Sequence, residues 1–349
     1  MFCCAECFGD RELRKNIIPT LSVSRGTCDY CESQDVDLVS PGLLGDLFEL
    51  LIGAYEHDDD GATLVELMKQ DWQLFSHPKM DVAHAKDLLG EILDDGEIVR
   101  RRFSPSSSFT STGLFQWETL REELMYKNRY FLDQDIDADR LRGLLSFLLA
   151  DDLPTVWYRA RIIAGEAPYD ISEMGAPPKR LVSHGRANPA GIPYLYIGSR
   201  PDTAIAEVRP HTGEAACVAD FTIQGTLTAV DLRNPRQLVS PFVLADAAAI
   251  GQLRADLPLL EKLGEELTRP VLPRGAAIDY VPSQYLCEFI KKIGYDGVIY
   301  RSSVSEGINL ALFDPARAVA HAVEVYDVES VSVLSLIHIS EPTRLRRIS

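Results

Sequence analysis

Two Cys-x-x-Cys pairs, Cys4-Ala-Glu-Cys7 and Cys28-Asp-Tyr-Cys31, stand 20 residues apart at the start of the chain. Four thiolates satisfy a tetrahedral zinc ion, and two knuckle-like turns place one pair on each side of it. A segment this short and polar cannot bury enough apolar area to fold alone, so a metal would supply its folding energy. With all four positions filled by sulfur the site is closed, hence structural. The alternative is free thiols on a mobile arm, and Cys3 competes with Cys4 for the first position. Of the seven cysteines, five fall in the first 31 residues. No basic stretch followed by an apolar run begins the chain, so a cytoplasmic location and metal rather than disulfides are expected. Cys217 and Cys287 lie in apolar patterns and read as small core residues.

The texture of the chain changes three times. Residues 1–36 form the cysteine segment. Residues 37–152 read as a mostly helical domain: Leu43, Leu44, Leu47, Leu50 and Leu51 recur at helical spacing after Ser40-Pro41. Further helices are expected over Ala62–Phe75, Asp81–Leu93, Thr119–Leu132 and Ala138–Leu149. A basic, serine-rich break at Glu97–Gly113 reads as an exposed loop. After a linker at Asp151–Pro154, residues 153–333 carry short β-rich runs at Thr155–Ile163, Pro193–Gly198, Ala216–Ile223, Thr226–Asp231, Gly297–Tyr300 and Leu310–Phe313. Helical patterns at Pro201–Val208, Pro241–Leu263 and Gln284–Lys292 separate them. Strands and helices without regular alternation predict an α+β fold. Leu334–Arg344 (LSLIHISEPTR) resembles a frame of the transposase-adapter DNA used in sequencing libraries. Residues 334–349 are therefore expected to be an adapter-derived artefact.

A net charge of −17 sets a field that repels phosphate backbones and disfavours broad nucleic-acid binding. The longest apolar run is too short to span a membrane. No Gly-rich phosphate loop, dinucleotide-binding fingerprint or serine nucleophile elbow occurs.

One carboxylate is awkwardly placed. The run YLYIGS, ended by Arg-Pro, reads as a strand stopping in a turn, after which Asp202 or Ser199 caps a helix carrying Glu207. Ala204, Ile205, Ala206 and Val208 suggest that most of that helix is buried. A carboxylate there is costly unless it is paired, with Arg209 or another arginine, or has a task. Arg159 and Arg161 share one face of an expected strand, either a solvated edge or a cationic wall. Tyr194 and Tyr196 suit ordinary strand packing on a helix.

Four blocks in order give these residues a context: Trp157–Ile162 (WYRARI), Gly185–Pro189 (GRANP), Tyr194–Arg209 (YLYIGSRPDTAIAEVR), and Tyr300–Val304 (YRSSV) followed by Asn309–Phe313. Together they resemble the RES-domain family of NAD-degrading toxins across Pro154–Tyr326. Ala187 stands where the family's commoner form has Trp. The CxxC…CxxC start and helical segment look like the HEPN/RES N-terminal arrangement. No R-x4-6-H nuclease motif accompanies it, because His57, His77 and His84 lack an arginine five to seven residues upstream. The helical segment is left to sense a signal, to form a homodimer, or to hold the catalytic part in check.

The resemblance implies an ADP-ribosyltransferase-like fold and an enzyme that consumes NAD as a substrate, releasing nicotinamide to leave ADP-ribose on phosphate or water. The resemblance further implies an NAD phosphorylase or glycohydrolase, used as a toxin or defence effector with an antitoxin protein as partner. A carboxylate beside the ribose stabilises an oxocarbenium-like transition state, which assigns Glu207, with Arg186 and Ser302 as further catalytic residues. Arginine forks suit the pyrophosphate, so Arg159 and Arg161 join Arg186 there, while Tyr158 and Tyr196 are placed to stack on the nicotinamide ring. Ser303 rivals Ser302 for a contact with the carboxamide or ribose. Two other readings remain: a protein ADP-ribosyltransferase, and a zinc-containing regulatory or RNA-binding protein with an inactive RES domain.

Overall fold

The cysteine segment is the first unit laid down by the sequence, and the computed structural model describes it within residues 1–133, 136–165, 167–272 and 274–330. The adapter-like tail lies outside the described residues. Cys7 sits on the short helix α1 (Ala5–Phe8), and α2 (Ile18–Leu21) follows. Strands β1 (Ser24–Gly26) and β2 (Val36–Leu38) form a hairpin whose connection holds Cys28 and Cys31. All four sulfurs are buried and lie within 4.8 Å of one another, with Cys4–Cys31 at 3.5 Å and Cys7–Cys28 at 3.4 Å. A tetrahedral zinc with Zn–S bonds of about 2.3 Å spaces its sulfurs about 3.8 Å apart, so the cluster is compatible with zinc. Cys3 turns away, toward the Val39 carbonyl.

Five helices dominate the next stretch: α3 (Gly45–Ile52), α4 (Leu64–Trp72), α5 (Val82–Leu93), α6 (Gly113–Tyr126) and α7 (Ala138–Ser146). Their starts follow local chemistry. Thr63 and Glu66 close a capping box on α4, and Asp81 accepts the His84 N–H to cap α5. Two features depart from the sequence reading: α6 begins at Gly113 and ends at Tyr126 where a helix over Thr119–Leu132 is expected, and a strand pair enters the expected loop. Strand β3 (Tyr55–Thr63) pairs antiparallel with β4 (Arg102–Pro105), which lies inside the expected loop. The acidic run Glu56–Asp60 hides β3, because most of it faces solvent and shows no apolar alternation.

The remaining strands are β5 (Trp157–Ile162), β6 (Leu195–Gly198), β7 (Ala215–Ile223), β8 (Ala229–Asp231), β9 (Gly297–Arg301), β10 (Ile308–Leu312) and β11 (Ala318–Asp327). They form one seven-stranded sheet in the order β11-β7-β5-β6-β10-β9-β8, antiparallel except for the parallel β8–β9 pair. Helices α8 (Pro201–Glu207), α9 (Pro235–Leu238), α10 (Ala247–Thr268), α11 (Ala276–Asp279) and α12 (Val281–Lys292) complete the chain. The mixture of helix with a mostly antiparallel sheet agrees with the expected α+β class. Among the described residues no helix is long and apolar enough to cross a membrane.

Helix α10 joins the two halves of the core. Its buried Leu253, Leu257, Leu260, Leu263 and Leu267 share one apolar cluster with Leu51, Leu124 and Leu145 of the preceding helices. Its buried Asp256 and Glu266 are paired with Arg140 of α7 and Arg121 of α6. Burying these carboxylates is tolerable because each meets a guanidinium.

The cysteine geometry generates a direct check. Purified protein is expected to hold about one zinc per chain, and a Cys28→Ser/Cys31→Ser variant to lose it and melt at a lower temperature. A metal-free wild type whose melting is indifferent to a chelator contradicts the site.

Candidate active site

Strands β5 and β6 pair through a single position, Tyr158 opposite Gly198. The row continues laterally, with Gly198 opposite Asn309 on β10 and Asn309 opposite Tyr300 on β9. Paired residues across adjacent strands share a face. All four line one cleft of about 350 Å³, of which this row is the floor. Gly198 lets α8 pack closely in the middle of it: a Cβ there would lie 3.1 Å from the Ala204 backbone nitrogen, a tight contact that asks the helix to give by a few tenths of an ångström.

Glu207 is the last residue of α8 and stands over that floor. One oxygen, Oε1, accepts hydrogen bonds from Ser302 Oγ at 2.7 Å and Asn309 Nδ2 at 2.6 Å. Among the described residues it makes no ion pair, with Arg209 or any other cation. The expectation of a carboxylate deep among apolar side chains is corrected: Ala204 is buried, but Glu207 is exposed to the cleft, because the helix ends at it. The cap also differs. Arg200 takes the N-cap position, Pro201 opens the helix, Ser199 Oγ accepts the Ile308 N–H, and Asp202 accepts the Thr203 N–H. A helix C-terminus is the negative end of the backbone dipole, so Glu207 adds charge to an already negative locus. Such a place favours a cation.

Positive charge comes from the other walls. Arg159 on β5 lines the cleft, and among the described residues its guanidinium has no hydrogen-bond or ion-pair partner. Burial first, and neighbouring Arg161 second, push it down to about 10, so it stays charged at neutral pH. Arg161 is not brought to the cleft. Its guanidinium stacks 4.0 Å from the Tyr169 ring centre and donates to the Glu173 carbonyl at 2.6 Å. Arg186 does line the cleft, donating to the Arg269 carbonyl at 2.8 Å, with the Tyr280 ring 5.4 Å away.

The loop bearing Arg186 is held from below. Tyr196 Oη donates to Asn188 Oδ1 at 2.6 Å and accepts the Ala187 N–H at 2.9 Å. Asn188 Nδ2 returns to the Ser183 and Pro189 carbonyls. Gln284 Nε2 donates to the Gly185 and Asn188 carbonyls, and Ser283 Oγ to the Arg186 carbonyl. Gly185 is forced, since a Cβ there would sit 2.3 Å from Asn188 Oδ1. The hydroxyl of Tyr196 is therefore committed to the loop, and only its ring faces the cleft. Ala187, where the family's commoner form has Trp, is buried.

Ser302 and Ser303 divide the role for which they competed. Ser302 binds Glu207 and takes N–H bonds from Val304 and Ser305, whereas Ser303 lines the cleft. The geometry adds four residues that the sequence reading did not assign: Asn309, Tyr300, Tyr280 and His184. Asn309 and Tyr300 lie within the blocks that carry the resemblance. Only the strand register brings them together.

No curated protein matches the chain. Among solved structures, a chain of the crystal structure of the M. tuberculosis MbcT-MbcA toxin-antitoxin complex is similar at 13% identity, over 53% of this chain and 92% of that chain, with a TM-score of 0.32. That likeness is too distant to carry an argument. The RES domain family matches residues 156–334, which is 179 of 349 and includes every wall of the cleft. The chain belongs to the RES-domain family.

Proposed function

We propose that this protein cleaves the nicotinamide–ribose bond of NAD and passes ADP-ribose to phosphate or water, as a toxin or defence effector held in check by an antitoxin. The observation that carries the reading is Arg159. Arg159 is half-buried, and its Nε is buried without an acceptor among the described residues, a cost that is offset when an anion arrives. Arg186, in the same cleft, also has no carboxylate partner among the described residues. Two arginine forks facing one space suit a pyrophosphate.

In the same cleft, Oε2 of Glu207 has no protein partner among the described residues, while Ser302 and Asn309 hold Oε1. Losing nicotinamide leaves positive charge on the ribose, and a fixed carboxylate stabilises it as it forms. The departing nicotinamide is neutral, so no general acid is needed. Tyr158, half-buried on the floor, and the Tyr196 ring provide apolar faces for the cationic nicotinamide ring. Ser303 is placed to bind a substrate hydroxyl or amide. Cys4, Cys7, Cys28 and Cys31 would hold a structural zinc, away from this chemistry.

Incubating the protein with NAD, with and without inorganic phosphate, tests the reading. Nicotinamide release that requires phosphate and yields ADP-ribose-1″-phosphate marks phosphorolysis, whereas release in both arms with free ADP-ribose marks hydrolysis. NAD surviving both contradicts the proposal. Glu207→Gln and Arg186→Ala are each expected to lower kcat/KM by about a hundredfold or more without unfolding the protein. Full activity in either removes that residue from the site.

A further inference from the structure

Buried phenols normally spend their hydroxyl on a partner, because an unpaired one costs free energy. Tyr196 follows this rule through Asn188 and Ala187. Tyr300 does not. The residue is only 5% exposed, and among the described residues its hydroxyl has no protein partner, opening instead to the cleft. Nor is that hydroxyl sealed in the core, since Tyr300 lines the cleft.

The register fixes its neighbours. Tyr300 stands opposite Asn309, on the same face of the sheet, and Asn309 Nδ2 lies 2.6 Å from Glu207 Oε1. Burial, reinforced by Tyr196 and Glu207, holds the phenol neutral across the working pH range, so it acts as a donor. Tyr158 at the far end of the row and side-chain-free Gly198 leave the space above open. Glu207 and Tyr300 line the same cleft.

We propose that Tyr300 is a substrate-contacting residue whose hydroxyl donates a hydrogen bond to an oxygen of the ribose that Glu207 faces. The inference rests on reading the cleft as an NAD site. A core tyrosine kept for packing would gain from losing an unpaired hydroxyl. A tyrosine kept for substrate would lose function without losing stability. Tyr300→Phe separates the two, since it removes one oxygen and leaves the ring.

The test measures three quantities for wild type and Tyr300→Phe: melting temperature, kcat/KM for NAD, and ADP-ribose affinity by calorimetry. The variant is expected to melt at or above wild type. Its kcat/KM and its ADP-ribose affinity are each expected to fall about tenfold, equivalent to about 1.4 kcal/mol. Unchanged ADP-ribose binding, or a clear drop in melting temperature, overturns the assignment. A wild type that binds ADP-ribose but leaves NAD intact defeats the proposed reaction, while the affinity comparison still decides Tyr300. A wild type that binds neither overturns both.

Discussion

The single Tyr158–Gly198 pair between β5 and β6 is the constraint on which the site depends. On one side of it, β5 runs along β7 over six paired positions, and β7 along β11. On the other, β6, β10 and β9 are continuously paired. The strands part beyond that one contact, and the cleft opens where they part. Arg159 comes from the first half of the sheet, and Tyr196, Asn309 and Tyr300 from the second. Neither half makes the site alone, so anything that shifts one against the other separates the cation from the carboxylate.

Charge pairing elsewhere in the molecule gives Arg159 its meaning. The chain has 52 acidic residues against 35 Lys and Arg, so acidic partners are abundant. Buried Asp231, Asp256 and Glu266 each meet an arginine: Arg233 at 2.5 Å, then Arg140 and Arg121. Arg159 is the half-buried cation of the cleft, and its Nε is buried without an acceptor among the described residues. A cation left unpaired in a cleft while these three carboxylates are paired is a candidate ligand contact. Glu207 is the complement, a carboxylate fixed by two neutral donors and by no cation. The two charges face the same space without neutralising each other.

Much of this was legible in the residues. Helix starts at Thr63 and Asp81 follow from capping chemistry, and the four cysteines converge as their spacing requires. The ordered blocks located all of the cleft's catalytic candidates. Other features were hidden for physical reasons. Strand β3 is acidic and solvent-facing, so it has no apolar period to read. Strand β11, whose residues are mostly half-buried or exposed, gave no signal either. Arg159 and Arg161 look equivalent on one strand face. Only the Tyr169 ring and the Glu173 carbonyl, reached through a long irregular segment, divert Arg161 from the cleft. Glu207 seemed buried because Ala204 and Ile205 are apolar, but sequence alone could not show that the helix stops at the glutamate. Tyr300 and Asn309 acquire a role only through register, a non-local property.

The central claim is that NAD binds with its pyrophosphate on Arg159 and its ribose against residue 207. Calorimetric titration of NAD into Glu207→Gln, the variant proposed to bind substrate without turnover, tests this against the double variant Glu207→Gln/Arg159→Met. The account predicts saturable binding to the single variant and a loss of about tenfold or more in affinity in the double variant. Equal affinity in the two proteins, or no binding to either, would contradict it.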